Sequence, residues 1–259
     1  LVREALSAVG VPMSRLIGIV PARAGSVGIP GKNAKLLAGS PLVSWSIIPA
    51  LEVCDVVILT TNDPEVLALG WCADRLTVQQ RPSMLATART PDLPVVRFAY
   101  NFIDQETDDV IVLLRPTAPF RRAEEIRRVA EILQHDRRFD SVRSVVPAQE
   151  HPAKMYLEAG FAKGRDDIAR HPLLAPAMGS AHRANHPRQW LAPAWRPCGF
   201  IDAVRADVLV GLDTLEGDLI VGWPAPIGRA SIELDDERHF LWFEAIAREQ
   251  GWSPGEIKE

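Results

Sequence analysis

The chain has 259 residues, 47% of them hydrophobic, and a formal net charge of −4. That length fits one large domain, or one domain with a sizeable insertion, and that composition can bury a full core without a metal or disulfide staple. The charge balance excludes a global basic field for nucleic acid, and the longest apolar runs fall far short of the roughly 20 residues a membrane span requires.

The opening stretch lacks the charged, then apolar, then small-residue order of a signal peptide. "MSRLIGIVPAR" from Met13 reads as a natural start, so Leu1 to Pro12 is expected to be an upstream extension, and no function is assigned to it. "LIGIV" (16–20) predicts a strand, followed by a Gly/Pro loop and a helix near 42–53. "DVVILTT" (55–61) predicts the next strand. Asp63 then caps a helix over 63–73, with Pro64 in its first turn. A weaker strand at "RLTVQQ" precedes helical spacing over 92–103, a buried strand at 109–115 and a helix over 123–134. "DSVRSVVPA" (140–148) predicts another strand. From 149 to 197 periodicity fades into Pro, His, Arg and small residues, which reads as an insertion arm. Strands are then predicted at 199–205, 219–223 and 230–234, with a last helix over 236–250. Continuous apolar strands alternating with helices imply an α/β fold: a Rossmann-like, mostly parallel sheet covered by helices on both faces.

Basic residues are nearly all arginine, with lysine only at 32, 35, 154, 163 and 258. Arginine binds phosphate and carboxylate in a bidentate way, although a GC-rich genome supplies it too. Three scattered cysteines, Cys54, Cys72 and Cys198, contain no C-x-x-C pair, which predicts reduced thiols and a cytoplasmic protein. His182 and His186 stand at H-x-x-x-H spacing upstream of Cys198, but a zinc site there lacks further ligands.

The chemistry concentrates in "PARAGSVGIPGKN" (21–33), at the carboxyl end of the first strand, where parallel sheets bind ligands. Glycines let backbone N–H groups approach phosphate oxygens, and Arg23 and Lys32 frame them with positive charge. A P-loop is excluded, because Ser26 takes its first Gly position and Asn33 follows Lys32. The dinucleotide fingerprint is excluded by the G-x-x-G-x-x-G spacing and by Pro30. Further along, Glu233 and Asp235 stand two apart in a predicted strand and so share a face. Locally they read equally as a pair of hard oxygen ligands suited to Mg²⁺ and as a strand-end acidic cluster leading into a helix N-terminus, where Asp236 and Glu237 favour the dipole.

This loop resembles the signature of the sugar cytidylyltransferases, above all the CMP-N-acylneuraminate (CMP-sialic acid) synthetases. Five further blocks follow in register: "TTNDPE" (60–65), "RPSMLAT" (81–87), "VLLRPTAPFR" (112–121), "HPRQWLAPAWRPCG" (186–199) and "SIELDDERHF" (231–240). The resemblance implies a nucleotide-diphospho-sugar transferase type of fold over 13–259, with 149–197 as a dimerisation or acceptor-binding arm. It implies Mg²⁺-dependent transfer of CMP from CTP to the anomeric hydroxyl of an acidic keto-sugar, with release of pyrophosphate. On this basis Arg23, Lys32 and Asp235 are expected to be catalytic, and Glu233 and Asp235 to hold the metal. Ala22, Ala24, Gly25, Ser26, Asn33 and Arg81 are expected at the nucleotide. Arg115, Thr117, Arg121, Arg188, Gln189 and Arg196 are expected to face the acceptor. A homodimer with no nucleic-acid or membrane partner is implied as well. Alternatives are a CMP-3-deoxy-octulosonate-type or other sugar nucleotidyltransferase, and a non-catalytic nucleotide-binding homologue. Three residues depart from the family pattern: Val27 for the usual Lys, Glu233 for Asp, and Cys198 for Asn. Arg115 or Arg229 is expected to make good the charge missing at Val27.

Overall fold

The computed structural model describes residues 14–163, 170–178, 186–230 and 232–257. It divides into two units, Leu1–Val145 with Pro197–Glu259, and Val146–Arg196.

In the first unit the apolar run predicted at 16–20 forms β1 (Leu16–Ala22), buried along nearly its whole length. After the glycine loop comes a short ribbon of β2 (Leu36–Leu37) and β3 (Ser40–Pro41), then α1 (Ser44–Val53). β4 (Val56–Thr61) leads into α2 (Pro64–Leu67), whose cap Asp63 accepts from the Glu65 N–H as anticipated. This helix is a single turn, not the predicted 63–73, and Gly70 at φ +64° follows it. β5 (Leu76–Gln80), α3 (Asp92–Tyr100), β6 (Val110–Leu113) and α4 (Ala123–His135) follow the predicted order. β7 (Ser141–Pro147) leads to the second unit, which holds an antiparallel hairpin of β8 (Tyr156–Lys163) and β9 (Arg170–Pro176) where sequence periodicity was absent. β10 (Trp195–Arg205), α5 (Ala206–Gly211), β11 (Ile220–Pro224), α6 (Ile227–Ala230) and α7 (Glu237–Gln250) complete the chain.

The central sheet has the order β11-β7-β10-β6-β1-β4-β5. β1 runs parallel to β4 and β6, and β4 to β5, while β10 pairs antiparallel with β6. The sheet is thus mostly parallel and Rossmann-like. Two apolar clusters fix it. One packs Ile17, Ile19 and Ile111 of the sheet with Val96 and Tyr100 of α3 and Leu209 of α5. The other gathers Trp45, Phe120, Phe240 and Phe243, with Phe120 ringed by Trp45, Phe243 and Trp252 at centroid distances of 5.3, 5.0 and 4.9 Å. Ile29 of the glycine loop and Leu234 of the acidic segment both belong to this second cluster. Burial of two apolar side chains therefore brings the loop and the carboxylates, two hundred positions apart, to one place.

Candidate active site

Because β1, β4, β5 and β6 are parallel, the residues that follow them emerge on one edge of the sheet. A cleft opens there, lined by Arg23, Ser26, Lys32 and Asn33 after β1, Arg81 after β5, and Arg115 and Thr117 after β6. Four cations line it, against one carboxylate, Asp92, among the described lining residues. Such an excess in a concave site attracts polyanions.

The loop is held by polar clamps. The Asn33 amide donates to the Arg23 carbonyl (3.0 Å), and the Ala24 N–H donates to Asn62 Oδ1 (2.9 Å). Thr61 Oγ1 donates to the carbonyl of buried Ala22 (2.5 Å), and Arg23 Nη1 donates to the Gly25 carbonyl (2.8 Å). Asn33, expected at the nucleotide, lines the cleft and is also a structural clamp. Gly28 abuts the acidic segment so closely that a Cβ there would overlap the Asp235 carbonyl oxygen. Val27 is 85% exposed, so the position of the missing family lysine faces solvent.

The predicted strand over 230–234 is absent: Ile227–Ala230 is helical and 232–236 is irregular. Glu233 and Asp235 are thus not placed by strand alternation. Their position comes from Leu234, fully buried between them, whose N–H donates to the Thr117 carbonyl (2.9 Å) and whose carbonyl accepts from Lys32 Nζ (2.8 Å). Burial lowers the Lys32 pKa; Asp235 and Glu233 act to raise it, and Arg23 to lower it. Lys32 therefore feels both carboxylates and the loop arginine together. Glu233 also lies by Gly199, where a Cβ would stand 3.5 Å from Glu233 Oε1 and 3.3 Å from Arg115 Nη1. Groups of three or more potential ligands among His, Cys, Asp and Glu are absent from the described residues. Glu233 and Asp235 are not among the described residues lining the cleft and reach it through Lys32, but two hard carboxylates still fit the donor chemistry of Mg²⁺, which fills its shell with waters and phosphate oxygens.

The remaining arginines differ in kind. Arg81 is buried, donates through Nη2 to the Thr60 carbonyl (2.7 Å), and keeps Nε without a partner. Burial, with help from Arg23, pushes its pKa down to about 10. Arg115 donates through Nη1 to Asp202 (2.7 Å) and through Nη2 to Asp92 (2.6 Å). Burial works to lower its pKa, but Asp202 and Asp92 prevail and raise it. Arg121 departs from the acceptor-facing role expected of it: it is fully buried and donates to the Phe200 carbonyl, Ser46 Oγ and the Arg115 carbonyl. Burial first, and Arg115 second, lower its pKa to about 9. Arg229 does not supply the charge missing at Val27, because its Nη1 and Nη2 are taken by Glu125 and the Phe120 carbonyl.

Arg188, Gln189 and Arg196 belong to the second unit and are exposed there. Arg188 Nη2 donates to the Ala148 and Gln149 carbonyls (2.9 and 2.6 Å). Of the weak zinc candidates, His182 lies outside the described residues, as do Leu1 to Pro12; His186 packs on Trp190 and Cys198 is buried. Sequence reading missed Asp92, Asp202 and the cleft-lining Thr90, and gave no role to Thr87, the last residue of a recognised block, which lines the cleft too. Asn62 was inside a recognised block but had no assigned role. Among the described residues, no helix is long and apolar enough to cross a membrane.

Residues 17–158 match the family model described as cytidylyltransferase. The chain is 34% identical over 145 residues to CMP-N,N'-diacetyllegionaminic acid synthase of Legionella pneumophila, covering 54% of this chain and 61% of that protein. It is also 34% identical over 137 residues to N-acylneuraminate cytidylyltransferase of Escherichia coli, covering 51% and 31%. The matched stretch thus spans less than two thirds of these relatives' own lengths. In three dimensions the chain resembles CMP:2-keto-3-deoxy-manno-octonic acid synthetase complexed with CTP, with a TM-score of 0.63 at 16% identity over 91% of this chain and 99% of that one. That likeness establishes the fold.

Proposed function

The chain belongs to the cytidylyltransferase family, and from that premise we propose that it transfers CMP from CTP to the anomeric hydroxyl of an acidic keto-sugar of the nonulosonic type. The observation that carries this reading is one cleft holding Arg23, Lys32, Arg81 and Arg115, with Glu233 and Asp235 in the electrostatic field of Lys32. The names of the relatives, a legionaminic acid synthase and an acylneuraminate cytidylyltransferase, support the acceptor class.

In this reading Arg23, Lys32 and the backbone around Ser26 hold the triphosphate, and Arg81 and Asn33 hold the nucleoside end. The sugar oxygen forms a bond to the α-phosphorus as the bond to the β-phosphate oxygen breaks. The hydroxyl proton leaves to solvent and pyrophosphate departs. Fixed cations serve this chemistry because phosphoryl transfer depends on positioning and charge neutralisation. Mg²⁺ held by Glu233 and Asp235 would neutralise phosphate charge. The proposed protein is a homodimer of the cytoplasm, a compartment that its free cysteines favour.

The test is pyrophosphate release from CTP with Mg²⁺ against a panel of sialic, legionaminic and pseudaminic acids and 3-deoxy-octulosonate. Release with a nonulosonic acid, lost on chelation, is expected. Release with octulosonate alone would move the acceptor class, and none with any acid sugar would end the reading.

A further inference from the structure

Arg115 is gripped by two carboxylates of unlike character. Asp202 lies on β10 opposite Leu113, the last residue of β6, and is 5% exposed. It is anchored from behind: its Oδ1 accepts from the Ser144 N–H (3.3 Å) and hydroxyl (3.4 Å), and Arg143 Nη2 stands 3.5 Å from its Oδ2. Asp92 sits at the first position of α3, lines the cleft, and is 43% exposed. It takes both Nε (3.2 Å) and Nη2 (2.6 Å) of Arg115 on one oxygen. A helix N-terminus favours an acid at that position, but the dipole does not account for an acid closing the paired edge of an arginine inside a cationic cleft.

We infer that the two carboxylates have opposite roles: Asp202 is a positioning residue that fixes Arg115 in the cleft, and Asp92 is a placeholder that an incoming oxyanion displaces. The Nε/Nη2 edge is the one best shaped for a bidentate oxyanion, and Asp92 occupies it. Displacement is cheap on the Asp92 side, because half-exposed ion pairs are weak, and costly on the buried Asp202 side. The oxyanion is a phosphate of CTP or the carboxylate of the acid sugar. The inference rests on the cytidylyltransferase reading for the identity of these ligands, but binding tests it without turnover.

The experiment measures dissociation constants of CTP and of N-acetylneuraminate by calorimetry for the wild type, Asp92→Asn and Asp202→Asn, with pyrophosphate release alongside. Asp92→Asn is expected to tighten one ligand by about threefold or more, since a like charge is removed while the shape is kept. Asp202→Asn is expected to weaken the same ligand by about tenfold, as Arg115 swings onto Asp92. The ligand that responds identifies phosphate or carboxylate as the source. Ser144→Ala, which removes one anchor of Asp202 and the acceptor of the Ile201 N–H (2.9 Å) but keeps the Asp202 carboxylate, weakens that ligand in the same direction and serves if Asp202→Asn does not fold. A merely structural role would not move one affinity in opposite directions. Changes of the same sign, no change, or no binding of either ligand by the wild type would overturn the inference. Binding with this opposed pattern but without pyrophosphate release would instead remove the transfer reading and leave the inference standing.

Discussion

At the scale of single residues, Lys32 joins the two halves of the site. Its chain position puts it in the phosphate loop, and its ammonium bonds the carbonyl between the two carboxylates. Burial holds its pKa below the usual 10.5. Triphosphate binding requires the protonated form, so affinity is flat between the terminal phosphate's own deprotonation, at about pH 6, and the free-protein pKa of Lys32. Above it the lysine must take up a proton to bind, and affinity falls tenfold per pH unit. We expect CTP titrations to show this break below 10.5, and Lys32→Arg to move it upward. A break at or above the ordinary lysine value would contradict the placement. Arg121 behaves as part of the core. Replacing it with Ala removes donors from three acceptors, each worth about 1–3 kcal/mol when left unpaired, and opens a cavity. Those losses outweigh the relief of a desolvated charge, so urea unfolding should report a loss of about 3 kcal/mol.

At the scale of elements, the loop and the acidic segment form one device. Ile29 and Leu234 share an apolar cluster, and Gly28 lets the two backbones touch. Gly28→Ala forces them apart. CTP affinity is expected to fall by about tenfold or more, roughly 1.4 kcal/mol, and the melting temperature to fall with it, since Ile29 and Leu234 lose packing. Equal affinity would mean that the contact carries no function. Much of this arrangement was legible in sequence. β1, β4 and β6 read directly from runs such as "LIGIV" and "VIVL", because strands buried on both faces need continuous apolar residues. The strand expected at "ASIEL" failed for a physical reason. Its alternation of buried Leu234 with outward acids is what a strand shows, and equally what an irregular segment shows when one leucine anchors it in an aromatic cluster. The grip on Arg115 was not legible, because Asp92 and Asp202 lie 23 and 87 positions away and only the sheet order brings them together.

At the scale of the whole molecule, the second unit carries exposed apolar side chains that a partner would cover. Its hairpin pairs Leu157 with Ala175 and Glu158 with Leu174, so the exposed Leu157 and Leu174 fall on opposite faces. Met155, Tyr156 and Trp190 in the same unit are exposed as well. An isolated two-stranded hairpin is marginally stable in water, and one with apolar side chains on both faces gains most from a partner that covers them. The homodimer proposed above supplies such a partner. Sedimentation velocity at micromolar concentration should give a dimer, and Leu157→Lys should shift the population toward monomer, since a charge buried at an interface without a partner is strongly unfavourable. A monomer for the unaltered chain across the range would remove the homodimer, and the hairpin's apolar faces would then need another partner.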